Sequence, residues 1–279
     1  MEQNTIIKED LWKPLLTVLL FLTMQMVFGI LAIIVEMLFH NGESGELPPA
    51  SLAIATILAN LATALIMTKM LGMPDLRETC RVHGKRTDKR WWFAISAGIL
   101  AFLTGTFATN LMSEQFALED EMKEEFIAMA HNWAGIISIA FIGPIMEEFI
   151  FREGITGFLL RKGKSPVFSI LFSSLIFGFI HMNPAQIPFA CLSGILLGVL
   201  YWKTRNILLC GAMHILNNSM AVWQMNLTDN DDQDFMMTEL LGGPDIAWIC
   251  IGILTAICLV ALFAFCKLYP YTPTTNLHE

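Results

Sequence analysis

The sequence predicts an all-α membrane protein, a polytopic bundle of about eight transmembrane helices with both termini in the cytoplasm. Its composition is the first indication: of 279 residues, 55% are hydrophobic and only 15% are charged, whereas soluble domains usually carry ~25% charged residues. The second indication is a series of long apolar segments separated by polar loops. The third is the segregation of lysine and arginine onto alternate loops.

The apolar segments predict where the transmembrane helices lie. Drawn by hydropathy, they cover residues 14–39, 50–72, 91–112, 134–160, 166–183, 186–202, 207–226 and 245–267. A span needs about 17 to 25 residues, so the fifth and sixth lie near the short limit. Pro184 and Pro188 separate these two into a tight hairpin. No shift in composition marks a second unit, and residues 1–279 are therefore predicted to form a single integral membrane domain.

The charges of the loops set the orientation. With the N-terminus inside and eight spans, the cytoplasmic segments hold 15 of the 17 Lys and Arg residues, the exceptions being Lys123 in an outer loop and Arg152 within a span. The loop at 77–90 is basic and cytoplasmic, and the loop at 229–234 is acidic and external. This distribution satisfies the positive-inside rule. The first segment is too long for a signal-peptide core and is expected to remain as a span.

The six cysteines give no sign of a disulfide framework or a thiolate zinc site. Five lie in apolar segments, Cys80 lies in the basic loop, and no CxxC pair occurs. Buried small hydrophobic residues are the simpler interpretation. The bilayer is the predicted environment, and no nucleic-acid partner is expected.

The fourth segment carries charge at a depth where charge is costly. Glu147, Glu148 and Arg152 lie among apolar residues, and each such group costs at least ~2.5 to 3.5 kcal/mol on insertion scales. Glu148 and Arg152 are four residues apart, so they share a helix face and are expected to pair. Glu147 is turned by about 100° from Glu148. The spacing therefore predicts that Glu147 does not pair with Arg152 and is available as a general base.

Two further segments supply polar side chains that can meet these charges. The fifth contributes His181, and the seventh contributes His214 and Asn218, which are four residues apart and share a face. Ionisable residues in a membrane-embedded helical bundle almost always face the interior of the bundle, where they pair with one another. We therefore predict one site built within residues 134–226, the catalytic core of the chain.

Two chemistries fit this set of residues. In the first, Glu147 and His181 activate a water that attacks an amide carbonyl, while His214 and Asn218 donate hydrogen bonds to the oxyanion. In the second, His181, His214 and a glutamate bind zinc, which lowers the pKa of the bound water. No H-E-x-x-H sequence is present, and Asn218 is a poor zinc ligand. The metal-independent reaction, with no cofactor, is preferred, and zinc remains the alternative.

The three groups of residues together resemble the motifs of the CAAX protease and bacteriocin-processing family, also called CPBP or Abi. This family includes the eukaryotic CAAX prenyl endopeptidases. The motifs, in order, read Glu147-Glu148-x-x-x-Arg152, Phe177-x-x-x-His181 and His214-x-x-x-Asn218. The resemblance implies an all-helical intramembrane endopeptidase with a glutamate-activated water.

The family's site residues are carried over by motif position. The resemblance implies that Glu147 and His181 activate the water, that His214 and Asn218 form the oxyanion site, and that Glu148 and Arg152 support its geometry. The basic inner and acidic outer loops look like those of a bacterial member, in the cytoplasmic membrane. A prenylated substrate is not assumed, because bacteria generally lack protein prenylation.

The predicted function is hydrolysis of a peptide bond in a membrane-anchored peptide or protein. One alternative is a zinc-dependent version of the same protease. Another is a non-catalytic membrane protein, either a bacteriocin-immunity factor or a scaffold. A proton-coupled transporter predicts inverted repeats, and the first three segments lack polar residues that match those of the later ones.

The depths of the site residues raise one difficulty. Counted from the cytoplasmic ends of their segments, Glu147 and His181 lie at similar levels. His214 is roughly 10 Å shallower, at 1.5 Å per residue. A single site therefore requires that the seventh segment be tilted, shifted or longer than drawn.

Overall fold

The computed structural model describes residues 12–39, 47–70, 89–116, 118–227 and 236–269. The loop at 229–234, residues 77–88 of the basic loop, Cys80 and both chain ends lie outside these residues. In chain order the helices are α1 (Lys13–Phe39), α2 (Pro49–Met70), α3 (Lys89–Phe116), α4 (Lys123–Ala130), α5 (Trp133–Ile137), α6 (Gly143–Glu148), α7 (Phe158–Arg161), α8 (Pro166–Phe179), α9 (Ile187–Thr204), α10 (Ile207–Leu227), α11 (Met237–Leu240) and α12 (Pro244–Leu268). Two π-helical segments, π1 (Ser138–Ile142) and π2 (Phe149–Gly157), join α5, α6 and α7 into one continuous stretch.

The all-α fold is confirmed, since the described residues form helices and contain no strand. Within them, six helical stretches are long and apolar enough to cross a membrane: α1, α2, α3, the composite stretch Trp133–Arg161, α9 and α12. The remaining two predicted segments are also helical. However, α8 has only 14 residues, and α10 carries polar residues along its length. The chain is an integral membrane protein; the count of eight spans and the cytoplasmic termini stay predictions.

Local sequence explains where several helices begin and end. Asn132 accepts a hydrogen bond from the Ala134 amide at 2.9 Å and caps α5. Ser165 accepts one from the Phe168 amide and caps α8, with proline at the first helical position. At its other end, α9 stops at Arg205, which adopts a left-handed conformation.

The composite stretch Trp133–Arg161 forms the centre of the bundle. It is the most buried of the six candidate spans, whereas α1 is the least buried. Its apolar residues Ile150, Phe151 and Ile155 pack with Phe21 of α1 and Phe177 of α8 in one hydrophobic cluster. A second cluster joins α3, α9, α10 and α12. The charged residues of the fourth segment are therefore buried at the meeting point of several helices.

Pro144 accounts for the first change of helical register in this stretch. Proline has no amide hydrogen, so a carbonyl one turn before it loses its helical donor. In π1 the Gly143 amide donates instead to the carbonyl of Ser138, five residues earlier. A Cβ on Gly143 would lie 2.7 Å from that oxygen, which explains why glycine occupies the position. The α6 turn that carries both glutamates follows directly.

Contacts at the two ends of the helices agree with the predicted order of crossings. Asn183 donates to Asp120 at 2.7 Å, and both lie in segments predicted to be external. At the opposite face, the ammonium of Lys203, which is predicted to be cytoplasmic, donates to the Cys266 carbonyl at 2.8 Å, near the predicted cytoplasmic end of the eighth span. Residues assigned to the same face are thus in contact.

Candidate active site

Glu148 is completely buried and faces Arg152, as the spacing predicts. The Nε atom of Arg152 lies 3.0 Å from Oε2 of Glu148, with the two side chains 1% and 0% exposed. The Arg152 N–H groups are not aligned for hydrogen bonds, so the attraction is that of an ion pair. The guanidinium carbon also lies 4.7 Å from the centre of the Phe177 ring. Arg152 is therefore held between a carboxylate and an aromatic face.

His214 connects the two glutamates. Its Nδ1 lies 3.0 Å from Oε1 of Glu148, and its Nε2 lies 3.7 Å from Oε2 of Glu147. The His214 side chain is 8% exposed, whereas that of Glu147 is 21% exposed. Glu148 thus contacts both Arg152 and His214, and Glu147 is the more exposed of the two carboxylates.

The side chains of His214 and Glu147 are in contact, although residue counts from the ends of their segments place them at different depths. Helix α10 begins at Ile207, as drawn, so a longer segment is not the reason. Part of the reason lies in π2, whose nine residues follow Glu148. A π-helix closes its hydrogen bonds over five residues rather than four, so these residues cover less depth than an α-helix of equal length. Glu147 therefore lies closer to the level of His214.

His181 lies just beyond the end of α8, which stops at Phe179 rather than at residue 183 as drawn. Its Nδ1 is 2.7 Å from the carbonyl oxygen of Phe177. This contact assigns the hydrogen to Nδ1, because a carbonyl only accepts. The lone pair of Nε2 is then free to accept a hydrogen bond.

Phe177 is the apolar residue that touches three of the predicted site residues. The His181 ring meets it edge to face at 5.0 Å between centroids, and the His214 ring does so at 5.8 Å. Its face also receives Arg152. The sequence contained this residue in the second motif, yet it gave no reason to assign it a role. Phe177 thus contacts both histidine rings and the Arg152 guanidinium.

Asn218 binds the backbone of the stretch that carries the glutamates. Its Nδ2 donates to the carbonyl oxygen of Ile139 at 2.9 Å. The residue five positions after Ile139 is Pro144, which cannot donate within π1. Asn218 therefore satisfies a carbonyl that the proline leaves without a helical partner. One hydrogen of the Asn218 amide is used in this way, and the second remains for another acceptor.

Residues beyond the predicted set support the same stretch. The hydroxyl of Ser173 donates to the Phe151 carbonyl in π2 at 2.9 Å. Glu153 pairs with Arg161 and also accepts a hydrogen bond from Tyr201. Neither contact belongs to the set of site residues predicted from the sequence.

Comparison with known proteins supports the resemblance stated from the motifs. The family model described as type II CAAX prenyl endopeptidase Rce1-like matches residues 129–220. Residues 129–220 form an Rce1-like domain. All six predicted site residues fall inside this Rce1-like domain, and α1, α2 and α3 precede it.

Two curated proteins are similar to this chain. The putative membrane peptidase YdiL of Bacillus subtilis is 32% identical over 111 residues, which cover 39% of this chain and 45% of YdiL, less than half its length. The membrane-embedded CAAX protease MroQ of Staphylococcus aureus is 26% identical over 222 residues, or 76% of this chain and 88% of MroQ. No solved structure matches the chain. The Rce1-like domain and both relatives support a membrane peptidase.

Proposed function

We propose that this protein is an intramembrane endopeptidase that hydrolyses a peptide bond of a membrane-anchored peptide or protein. The observation that carries the proposal is the position of His214 between two glutamates, one paired with Arg152 and the other free of it. The Glu148–Arg152 pair is complete by itself, so a second carboxylate beside it adds a charge that is costly in the membrane and has no evident structural use.

Glu147 is the general base. It takes a proton from a water that also donates to the free Nε2 of His181. The water oxygen forms a bond to the substrate carbonyl carbon, whose π electrons move to oxygen. When this intermediate collapses, the carbon–nitrogen bond breaks and Glu147 returns the proton to the leaving amine. The products are a carboxylic acid and an amine, and no redox partner is required.

His214 and Asn218 stabilise the oxyanion. A protonated His214 donates from Nδ1 to Glu148 and from Nε2 toward the site. This assignment also balances charge, since Glu147 and Glu148 then face Arg152 and one imidazolium. Asn218 supplies the second donor through the amide hydrogen that Ile139 does not use. A good oxyanion donor contributes about 3 to 4 kcal/mol to lowering the barrier.

We propose that the reaction uses no metal. Among the described residues, no group of three His, Cys, Asp or Glu side chains is arranged to hold a metal ion. In addition, Asn218 and the Glu148–Arg152 pair have evident uses without one. The bacterial cytoplasmic membrane, with both termini in the cytoplasm, is the proposed location, supported by the distribution of basic loops.

The test uses the purified full chain in proteoliposomes. The probe is a library of internally quenched peptides with randomised centres, anchored by an N-terminal palmitoyl group, with H₂¹⁸O as solvent. We expect cleavage with one ¹⁸O atom in the new carboxyl group, abolished by Glu147→Gln and by His181→Ala. Glu153→Gln, a matched change on the same helical stretch, should retain cleavage because Glu153 contacts Arg161 and Tyr201 instead of the site.

A second sample guards against an unsuitable library. Membranes containing the wild-type chain and the Glu147→Gln variant are compared for newly formed peptide termini. If neither the library nor the membranes contain a terminus that depends on Glu147, the proposed activity is wrong. A bacteriocin-immunity or scaffold function then becomes the better explanation.

A further inference from the structure

The turn that carries His181 is hydrogen-bonded to the acidic loop that precedes α4. Asn183, two residues after His181, is 0% exposed, and its Nδ2 donates to Oδ1 of Asp120 at 2.7 Å. The Asn183 Oδ1 accepts from the Ala185 amide at 3.3 Å, so both ends of this side chain are engaged. Asp120 is exposed and lies 63 residues away in the sequence.

The turn needs such support because its backbone is strained. Met182, between His181 and Asn183, has φ of +50°, a left-handed conformation that residues other than glycine adopt infrequently. Strained residues persist only where surrounding contacts over-determine them. Met182 itself is 72% exposed, so its side chain provides little packing. The side-chain contacts of Asn183 therefore add a long-range restraint to the backbone hydrogen bonds of this turn.

Asp120 is itself well placed to act as an anchor. Its Oδ1 also accepts from the Met122 amide at 3.3 Å, which fixes the carboxylate against its own loop just before α4. A hydrogen bond to a carboxylate is shorter and stronger than one between neutral groups. If Asp120 were removed, the Nδ2 of the buried Asn183 would lose this protein acceptor and with it the link to the loop before α4.

We infer that Asp120 is a positioning residue for His181, acting through Asn183. The inference rests on the proposed role of His181 in activating water. Asp120 lies outside residues 129–220, the Rce1-like domain. An external loop from the N-terminal half of the chain thus sets the geometry of the active site. Loss of the contact allows Met182 to relax and moves the adjacent imidazole away from the position that activates water.

Four variants test this in the full chain, with the library peptide that the wild type cleaves fastest. Asp120→Ala removes the acceptor, and Asn183→Asp places two carboxylates against each other. The double variant Asp120→Asn with Asn183→Asp reverses donor and acceptor and restores one hydrogen bond; the carboxylate that it introduces can still accept from the Ala185 amide. Glu119→Ala removes one negative charge from the same exposed loop and serves as the matched control.

We expect kcat to fall about 10- to 100-fold in Asp120→Ala, as for other small misplacements of a catalytic group. KM should change little, and Asn183→Asp should lose more activity still. The reversed double variant should recover most of the loss. A purely structural role would lower stability without this pattern of recovery in kcat.

Hydrogen exchange gives a readout that does not depend on turnover. Amides of residues 180–187 should exchange faster in Asp120→Ala than in Glu119→Ala, and the reversed variant should restore protection. Unchanged kcat and unchanged exchange in Asp120→Ala overturn the inference while leaving the proposed function intact. Full activity of His181→Ala instead contradicts the proposed function, and the exchange data then show only whether the contact restrains the turn.

Discussion

The Nδ1 atom of His214 lies 3.0 Å from Oε1 of Glu148 in the buried centre of the bundle. Glu148 also faces Arg152, so three ionisable side chains share one enclosed space. Each removes part of the cost of burying the others. The arrangement leaves Nε2 of His214 directed toward Glu147, which links the supporting pair to the residue proposed as base.

Removal of the Glu148 charge should destabilise the protein severely. Glu148→Gln leaves Arg152 buried without a counter-charge, and breaking a buried pair in this way costs about 3 to 5 kcal/mol. The double variant Glu148→Gln with Arg152→Met removes both charges and should be more stable than the single variant. Thermal unfolding in detergent measures the difference. Equal stability of the single variant and the wild type would show that the ion pair contributes nothing.

Two substitutions of His214 separate its two contacts. Asparagine places an amide near the Nδ1 position, so His214→Asn should keep the bond to Glu148 but lose the donor directed into the site. Activity should then fall about 10²- to 10³-fold, as for the loss of one oxyanion donor, with little loss of stability.

Glutamine provides the reverse case. It places an amide near the Nε2 position, so His214→Gln should keep more activity and be less stable. Cleavage assays and thermal unfolding of both variants check the assignment. High activity in His214→Asn together with low activity in His214→Gln would contradict it.

The π-helical register before the glutamates should depend on Gly143. A Cβ at this position would meet the Ser138 carbonyl at 2.7 Å, so Gly143→Ala should destabilise the chain by about 1 to 3 kcal/mol. It should also lower activity by shifting Glu147. The control is Gly252→Ala, on α12, where an added Cβ meets nothing within 4 Å. This control should be neutral or slightly stabilising.

Chelation should not affect cleavage. With Glu147 as base and His214 and Asn218 as donors, treatment with a zinc chelator followed by gel filtration should leave kcat/KM unchanged. Metal analysis of the active preparation should find less than one zinc per chain, and Glu147→Gln provides the inactive reference. Loss of activity that added zinc restores would favour the zinc-dependent version of the protease.

Reporter fusions test the orientation. The basic segments predict both termini in the cytoplasm, so a fluorescent protein fused to either end should fold and alkaline phosphatase should not be active. An alkaline phosphatase inserted after Glu119, in the predicted external loop, should be active. The opposite result at one terminus alone would mean that the number of spans is odd.

The sequence predicted the helices and one pairwise contact well, for reasons that lie in local periodicity. Eight apolar segments could be drawn to within a few residues, because burial in lipid requires long unbroken hydrophobic runs. Glu148 and Arg152 were paired from their spacing of four, and they pair although Arg152 lies in π2. This spacing brings side chains to one face in either type of helix.

Other features depended on backbone register, which composition does not reveal. In π1, the hydrogen bonds are redirected at Gly143 and Pro144. Hydropathy revealed neither this change of register, nor π2, nor the end of α8 before His181. Residue counts at a constant rise therefore placed His214 too far from Glu147. The role of Phe177 was missed because a buried phenylalanine in a membrane helix is ordinary by sequence.

By itself, the sequence determined that the chain is an all-α membrane protein and which charged residues its core contains. It also determined that Glu148 and Arg152 share a face, since these properties depend on hydrophobicity and on neighbours within one helix. The tertiary structure alone decided that His214 meets both glutamates, that Asn218 satisfies the Ile139 carbonyl, and that Asp120 holds the turn beside His181. These contacts join residues between 63 and 79 positions apart, and their distances depend on how separate helices cross and pack.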